Sequence, residues 1–337
     1  MSKPAVSIIG AGGWGTALAL MMARRVTAEA AIPLWGHDPS HVEALKSTRH
    51  NQKYLPSVAL PSSILPTTSL AECADAKVIF LAVPSKYLAQ VARELASVGV
   101  ARGAILVSCT KGIEQQRGLL MSELLTEAVP HSTIAVLSGP NLAGEIARGM
   151  PAAGVIASPH ADAPARVQSL FEGTNFRPYT SSDVRGVQLG GALKNIFAIA
   201  AGASDGLGLG ENARAGIVTR SLAEMTRLGV AMGGQRETFR GLSGIGDLMV
   251  TCFSAQSRNH QVGFRLGRGE NLRAIRDSMS MVAEGIPTTM SAHACARRLG
   301  VSTPIIDQIQ NLLHEENDPA RAMRDLMARQ LRAEEEV

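Results

Sequence analysis

Charge is scarce in this chain of 337 residues: only 18% are Asp, Glu, Lys or Arg, against about 25% in an average soluble protein. Aromatic residues make up 4% while 45% are hydrophobic, a balance that excludes a disordered chain, a coiled coil and a charge-dense tail. The four cysteines, Cys73, Cys109, Cys252 and Cys295, form no CxxC pair, which excludes a zinc ribbon or dithiol motif and points to a reduced, cytoplasmic setting. The histidines form no HExxH, and the close pair His37 and His41 has no third ligand near in sequence, so no metal site is expected. The 33 basic and 29 acidic residues leave a net charge of +4, scattered along the chain. That pattern argues against nucleic acid as a partner and suits anionic small molecules.

Glycine is the residue in excess, 33 in all, and extra glycine supplies turns and close backbone approach. From Pro4 to Ala23 no residue is charged, as in a membrane span or a signal peptide. The run Gly10-Ala11-Gly12-Gly13-Trp14-Gly15 interrupts it, however, and would break a spanning helix. The better division is a strand over Val6 to Ile9, a glycine turn, and a helix over Thr16 to Arg25, with no membrane insertion.

Short apolar runs alternate with helical stretches up to about residue 180, the pattern of a parallel α/β sheet. The expected strands are Val6 to Ile9, Ile32 to Trp35, Val78 to Val83, Ile105 to Ser108, Ile134 to Leu137 and Gly154 to Ala157, with Phe176 to Thr180 a further candidate. Beyond Val187 the strand signals stop and helical patterns take over, such as Asn212 to Leu228 and Ser257 to Leu266. The chain therefore reads as an α/β domain over 1–186 followed by a mainly α-helical domain over 187–337. No internal repeat is present.

Four groups of residues carry chemistry. Gly10-x-Gly12-x-x-Gly15 follows an apolar strand and opens a helix, the context in which such a spacing binds a dinucleotide. Gly10 permits the turn, Gly12 lets the backbone approach a pyrophosphate, and Gly15 lets the helix pack closely. After the second strand come His37 and Asp38. An acid near this distance suits the ribose of NAD, whereas His37 can face either a ribose hydroxyl or a 2′-phosphate, so NAD and NADP both remain open. The third group is Gly186 to Ser204, where Lys194 is the lone charge. It is either a desolvated ammonium with a pKa suited to general acid/base work or a lysine that snorkels to the surface. The fourth is Asp247 in Gly244-Ile245-Gly246-Asp247, a carboxylate able to pair with Lys194, followed by Arg258 near a helix start, able to grip a phosphate.

The chain resembles the bacterial-type NAD(P)-dependent glycerol-3-phosphate dehydrogenases nearly end to end. The resemblance is carried by GAGGWGTALA from Gly10, LWGHDP from Leu34, CTKG from Cys109, SGPNLAGEIARGMP from Ser138, VQLGGALKNIFAIAAG from Val187, GLSGIGDLMVTC from Gly241, QSRN from Gln256 and VAEG from Val282. It implies a Rossmann-type domain followed by a helical substrate domain, a homodimer, and NADH or NADPH as cofactor. Lys194 would be the proton acceptor, with Asp247 orienting it. Lys111, Gly139, Asn141, Lys194, Asp247, Ser257, Arg258 and Asn259 would contact glycerol 3-phosphate. Gly10, Gly12, Gly13, Trp14, Gly15, His37, Lys111, Ala143, Arg258, Val282 and Glu284 would hold the cofactor. Two positions depart from the family pattern: Asn141 stands where serine or threonine is frequent, leaving its substrate contact open, and Leu142 where phenylalanine is common. The implied product, glycerol 3-phosphate, feeds phospholipid synthesis. Rival readings are a dehydrogenase of β-hydroxyacids or sugar acids and a nucleotide-sensing regulator without turnover.

Overall fold

The computed structural model describes residues 4–25, 31–279, 281–314, 318–331 and 333–334. They fall into two compact units. The first comprises the described residues up to Thr110 together with Met121–Val184, and the second comprises Lys111–Leu120 and the chain from Arg185 onward.

The first unit is built on β1 (Val6–Ile9), α1 (Gly13–Ala23), β2 (Ile32–Trp35), α2 (Pro39–Thr48), β3 (His50–Asn51), β4 (Leu55–Ala59), β5 (Ile64–Thr67), α3 (Ala71–Ala74), β6 (Val78–Leu81), α4 (Ser85–Val98) and β7 (Ile105–Ser108). It continues, after the excursion into the second unit, with α5 (Met121–Ala128), β8 (Thr133–Ser138), α6 (Ala143–Ala147), β9 (Ala152–Ala157), α7 (Asp162–Gln168) and β10 (Phe176–Ser181). Strands β1, β2, β6 and β7 are buried at every residue, which is why they read as unbroken apolar runs rather than alternating ones. The helices are amphipathic where they cover the sheet. In α4, Leu88, Val91, Ala92 and Leu95 are buried at helical spacing.

The strands form an eight-stranded sheet in the order β10-β9-β8-β7-β6-β1-β2-β5. It is not wholly parallel: β8 and β9 pair antiparallel, and the remaining ladders are parallel. An apolar run carries no sign of its direction, so the sequence concealed this reversal. Strand β5 and the small β3–β4 pair also escaped the pattern, because Pro66 interrupts β5 and β4 is largely exposed. The order turns at β1, whose neighbours are β2 and β6, making it the switch point outside which parallel sheets bind ligands. In register, Ile9 lies beside both Trp35 and Leu81, so the segments that follow β1, β2 and β6 leave the sheet at one edge.

The second unit is helical: α8 (Val184–Gly206), α9 (Gly210–Ala231), α10 (Asp247–Phe253), α11 (Arg258–Gly267), α12 (Leu272–Ser278), α13 (Gly285–Leu299), α14 (Pro304–His314) and α15 (Pro319–Met327). Twenty of the residues of α8 are buried, as expected of a helix without a polar face. The unit's core gathers around it: Leu193, Ile196 and Phe197 pack with Met225, Leu248, Val262 and Ala292. Ile113 and Leu120 join the same core and close a short antiparallel bridge. Ser291 Oγ donates to the Ile113 carbonyl at 2.9 Å. No described helix is long and apolar enough to cross a membrane.

The glycine turn after β1 is the most tightly built part of the first unit. Gly10 has φ of +121°, and a Cβ there would lie 2.6 Å from the Ala82 carbonyl oxygen. A Cβ on Gly15 would lie 1.8 Å from the Gly10 oxygen and 3.0 Å from its carbonyl carbon, backbone atoms that cannot swing aside as a side chain can. A Gly15→Ala variant is therefore expected to lose about 3 kcal/mol of stability by overpacking, read as a lowered thermal midpoint of the purified protein.

Candidate functional site

In the first unit, helix α1 begins directly after Gly12, with no side chain capping it and no acid in its first turn. No side chain caps the partial positive charge of its leading amides. A Cβ added to Gly12 would meet nothing within 4 Å, so open space lies where a pyrophosphate would run. Gly13 is 3.7 Å, from its would-be Cβ, from Ala143 at the start of α6, which brings the segment after β8 beside the glycine turn. Trp14 packs on the core with its ring centroid 6.4 Å from that of Phe176.

Two further observations bear on ligand binding there. Asn141 has its side-chain oxygen and nitrogen buried without a protein partner, a cost of about 1–3 kcal/mol per group unless a ligand meets them. Asp38 caps α2, its carboxylate accepting from the Ser40 and His41 amides at 3.0 and 3.4 Å and from Ser40 Oγ at 2.7 Å. With Asp38 so engaged, His37 is the exposed side chain at the end of β2. Gly139, with φ of +141°, lies against Gly154. The residues present fit an NAD(P)-type dinucleotide: an open glycine cradle, uncapped helix amides, and an amide side chain awaiting partners.

The second unit holds the charged cluster. Asp247 is fully buried. Lys194 Nζ donates to its Oδ1 at 2.5 Å, and Lys111 Nζ to its Oδ2 at 2.5 Å. One carboxylate thus bridges two ammonium groups. Lys194 is 7% exposed, so it does not snorkel. Its Nζ also donates to Thr251 Oγ1 at 2.6 Å, while that hydroxyl donates to the Asp247 carbonyl at 2.6 Å. Thr251 went unnoticed in the sequence. The signal was its position four residues after Asp247, the same face of one helix. Desolvation lowers the Lys194 ammonium from 10.5 to about 8, Asp247 opposing the shift and Lys111 adding to it.

The backbone that presents Asp247 is unusual. Leu242–Gly246 forms a π-helical turn just before α10, a form that clusters at functional sites. Gly190 lies so close to this turn that a Cβ would be 2.4 Å from the Ser243 oxygen. Helix α8 and the turn are thereby fixed backbone to backbone, which sets the Lys194–Asp247 separation.

At the start of α11, Ser257 is the N-cap and accepts from the His260 amide at 3.2 Å. Arg258 Nη1 donates to the Val282 carbonyl at 2.7 Å, and Asn259 Oδ1 accepts from the Gly285 amide at 2.9 Å. The segment carrying Val282 and Glu284 is therefore tied to α11 at both ends. Asn259 Nδ2 donates to Asn195 Oδ1 at 2.8 Å, both side chains buried. Asn195, adjacent to Lys194, is a second site neighbour that sequence reasoning left unassigned. Lys111, Lys194, Asp247, Thr251, Asn195, Ser257, Arg258 and Asn259 all belong to this unit. The glycine turn, His37, Gly139, Asn141 and Ala143 belong to the first.

Residues 5–163 match the model of the NAD-dependent glycerol-3-phosphate dehydrogenase N-terminus, and residues 183–324 match that of its C-terminus. The chain belongs to the NAD-dependent glycerol-3-phosphate dehydrogenase family. A glycerol-3-phosphate dehydrogenase (NAD(P)+) of Syntrophotalea carbinolica is 46% identical over 333 residues, 98% of this chain and 99% of that one. The corresponding protein of Geobacter sulfurreducens is 44% identical over 98% of both chains. A crystal structure of glycerol-3-phosphate dehydrogenase from Coxiella burnetii superposes with a TM-score of 0.92 at 35% identity, covering 96% of this chain and 98% of that chain. Membership in this glycerol-3-phosphate dehydrogenase family agrees with a mostly parallel sheet unit followed by a helical one, and with NAD or NADP as cofactor.

The Lys194 environment makes a direct prediction. Removing the like charge in Lys111→Met takes away a cause of the lowered pKa, so Lys194 should titrate above about 8 in that variant. The Lys194 13Cε resonance of lysine-labelled protein, followed against pH, measures it. Between about 8 and 10.5 the unfolded chain holds more of this proton than the folded one, so this group's contribution to stability rises with pH across that window.

Proposed function

We propose that this chain catalyses reversible hydride transfer between C2 of sn-glycerol 3-phosphate and NAD(P)+, giving dihydroxyacetone phosphate, with Lys194 as the proton-transferring group. The observation that carries the reading is one buried carboxylate, Asp247, holding two lysines in a family member of matching length. Bound NAD(P)H supplies the hydride when the ketone is reduced. Lys194 then donates a proton to the carbonyl oxygen and becomes neutral, and in the reverse direction it accepts that proton from the alcohol.

A lysine lowered to about 8 suits both directions near neutral pH, because a group poised near the working pH both gives and takes a proton readily. Two of its ammonium hydrogens are held by Asp247 and Thr251. These fix the direction of the third, which is the one available to a substrate oxygen. Lys111 adds positive charge beside the same carboxylate and favours the developing alkoxide. Arg258 exchanges its bond to the Val282 carbonyl for the substrate phosphate, with Ser257 and Asn259 completing the phosphate and hydroxyl contacts, and so fixes C2 in place. Gly139 and Asn141 offer further polar contacts to the bound molecules, the amide of Asn141 being buried and without a protein partner.

The glycine turn from Gly10 to Gly15 and Ala143 hold the pyrophosphate side of the cofactor, and His37 meets the adenosine ribose. Trp14, Lys111, Val282, Glu284 and Arg258 complete its contacts. With its four cysteines buried, the reading assigns the enzyme to the reduced cytoplasm, as a homodimer that supplies glycerol 3-phosphate for phospholipid synthesis.

Oxidation of NADH and of NADPH with dihydroxyacetone phosphate tests the reading. Wild type should turn over, with a reduction rate that falls as pH rises through about 8 because the proton donor is then lost. Lys194→Ala should lose about a thousandfold in kcat; a variant that kept most of the wild-type rate would remove Lys194 from the mechanism. Unphosphorylated dihydroxyacetone should react at no more than about a hundredth of the kcat/KM of the phosphorylated ketone, since the anchor that fixes C2 is then missing.

A further inference from the structure

Helices α8 and α11 cross with their backbones in contact. A Cβ on Gly202 would lie 2.1 Å from the His260 oxygen, and one on Gly206 would lie 2.3 Å from the Phe264 oxygen. The relation is reciprocal: a Cβ on Gly263 would lie 2.0 Å from the Ile199 oxygen, and one on Gly267 would lie 2.5 Å from the Ala203 oxygen. Two glycines spaced four apart on each helix thus face each other, and no side chain cushions the crossing. Its separation is fixed, but smooth glycine surfaces alone leave sliding and rotation weakly opposed.

Asp205 supplies what the glycines lack. Its Oδ2 accepts from His260 Nε2 at 2.8 Å and from Arg214 Nη1 at 2.9 Å, so one carboxylate joins α8 to α11 and to α9. Beside His260 on α11, Asn259 joins the same two helices through Asn195, ten residues before Asp205 on α8. Asp205 follows Lys194 by eleven residues on α8, which is about three turns and about 16 Å along the axis. It is therefore too far along the helix to reach a ketone that touches Lys194. His260, in contrast, immediately follows Ser257, Arg258 and Asn259, and its amide closes the Ser257 cap.

We propose that Asp205 is a positioning residue for phosphorylated substrate. Through His260 it holds the first turn of α11 in register with α8, and so sets the distance between the Arg258 guanidinium and the Lys194 ammonium. The proposal rests on the reading that Arg258 holds the substrate phosphate. The Asp205 pairs are only partly solvated, with side-chain exposures of 18% for Asp205, 12% for His260 and 19% for Arg214, so thermal midpoints are needed to separate what they add to stability. Their worth to the reaction lies in position, because a phosphate held an ångström out of place carries the carbonyl with it.

The test compares wild type, Asp205→Ala and Asp205→Asn in the reduction of dihydroxyacetone phosphate and of unphosphorylated dihydroxyacetone, with thermal midpoints recorded. In Asp205→Ala, kcat/KM for the phosphorylated ketone should fall about tenfold to a hundredfold, chiefly through KM, while that for dihydroxyacetone stays within about twofold. Asp205→Asn, whose amide oxygen still accepts from His260, should recover most of the loss. Equal losses with both ketones would mark Asp205 as merely structural and overturn the proposal, as would no change with either. A wild type that showed no preference for the phosphorylated ketone would instead sink the phosphate-holding role of Arg258, and the positioning role with it, whatever the variants did.

Discussion

The bridge from Asp247 to Lys194 and Lys111 is the constraint on which the helical unit is organised. Taking a lone ammonium into an apolar core costs several kcal/mol, and α8 does this at its middle, among residues such as Leu193, Ile196 and Phe197 that are wholly buried. The carboxylate offsets that cost only if it is delivered within hydrogen-bonding distance on the correct side. The π-helical turn, the Gly190 contact and the Thr251 hydroxyl all serve that delivery. A second lysine on the same carboxylate then keeps Lys194 from being over-stabilised as the ammonium. The pair is balanced to remain exchangeable, which a simple one-to-one ion pair in the same place would not be.

Glycine works differently in the two units. After β1 it leaves open space at one position and close contact at two: the would-be Cβ of Gly12 meets nothing, whereas those of Gly10 and Gly15 would strike backbone. In the helical unit it removes room, letting α8 meet the Ser243 turn and α11 at separations that alanine would forbid. A chain with few charges and many glycines can therefore hold a small number of charged groups very precisely. The spacing is set by main chain, which has fewer soft degrees of freedom than side chains.

Much of this was legible in the sequence, and the limits were physical. Lys194 stood out because no other charge shares its uncharged stretch, and Asp247 was one carboxylate able to pair with it, as the structure has it. The glycine spacing after Val6 to Ile9 announced the turn. Strand direction was hidden, since the apolar run of β9 reads like those of the parallel strands β1, β6 and β7. Thr251 and Asn195 were hidden for another reason: uncharged polar residues are ordinary in a helix, and only a known partner gives them meaning. Asp38 sat at the right distance for a ribose contact, yet its carboxylate caps α2, because an acid just before a Pro-initiated helix meets both roles from the same position.

The excursion of Lys111–Leu120 into the helical unit has a consequence for how the protein is made. The chain passes between the units after Thr110, after Leu120 and after Val184, so no single cut separates them. A fragment ending near residue 186 would keep Ile113 and Leu120 but lose the helices that bury them, leaving an apolar loop open to water. During synthesis the same loop emerges well before α8 and α13, so it must wait for its core to be translated. The lysine it carries can reach Asp247 only after α10 has been synthesised, so the site's ion pairs cannot form in a fragment limited to the first half of the chain.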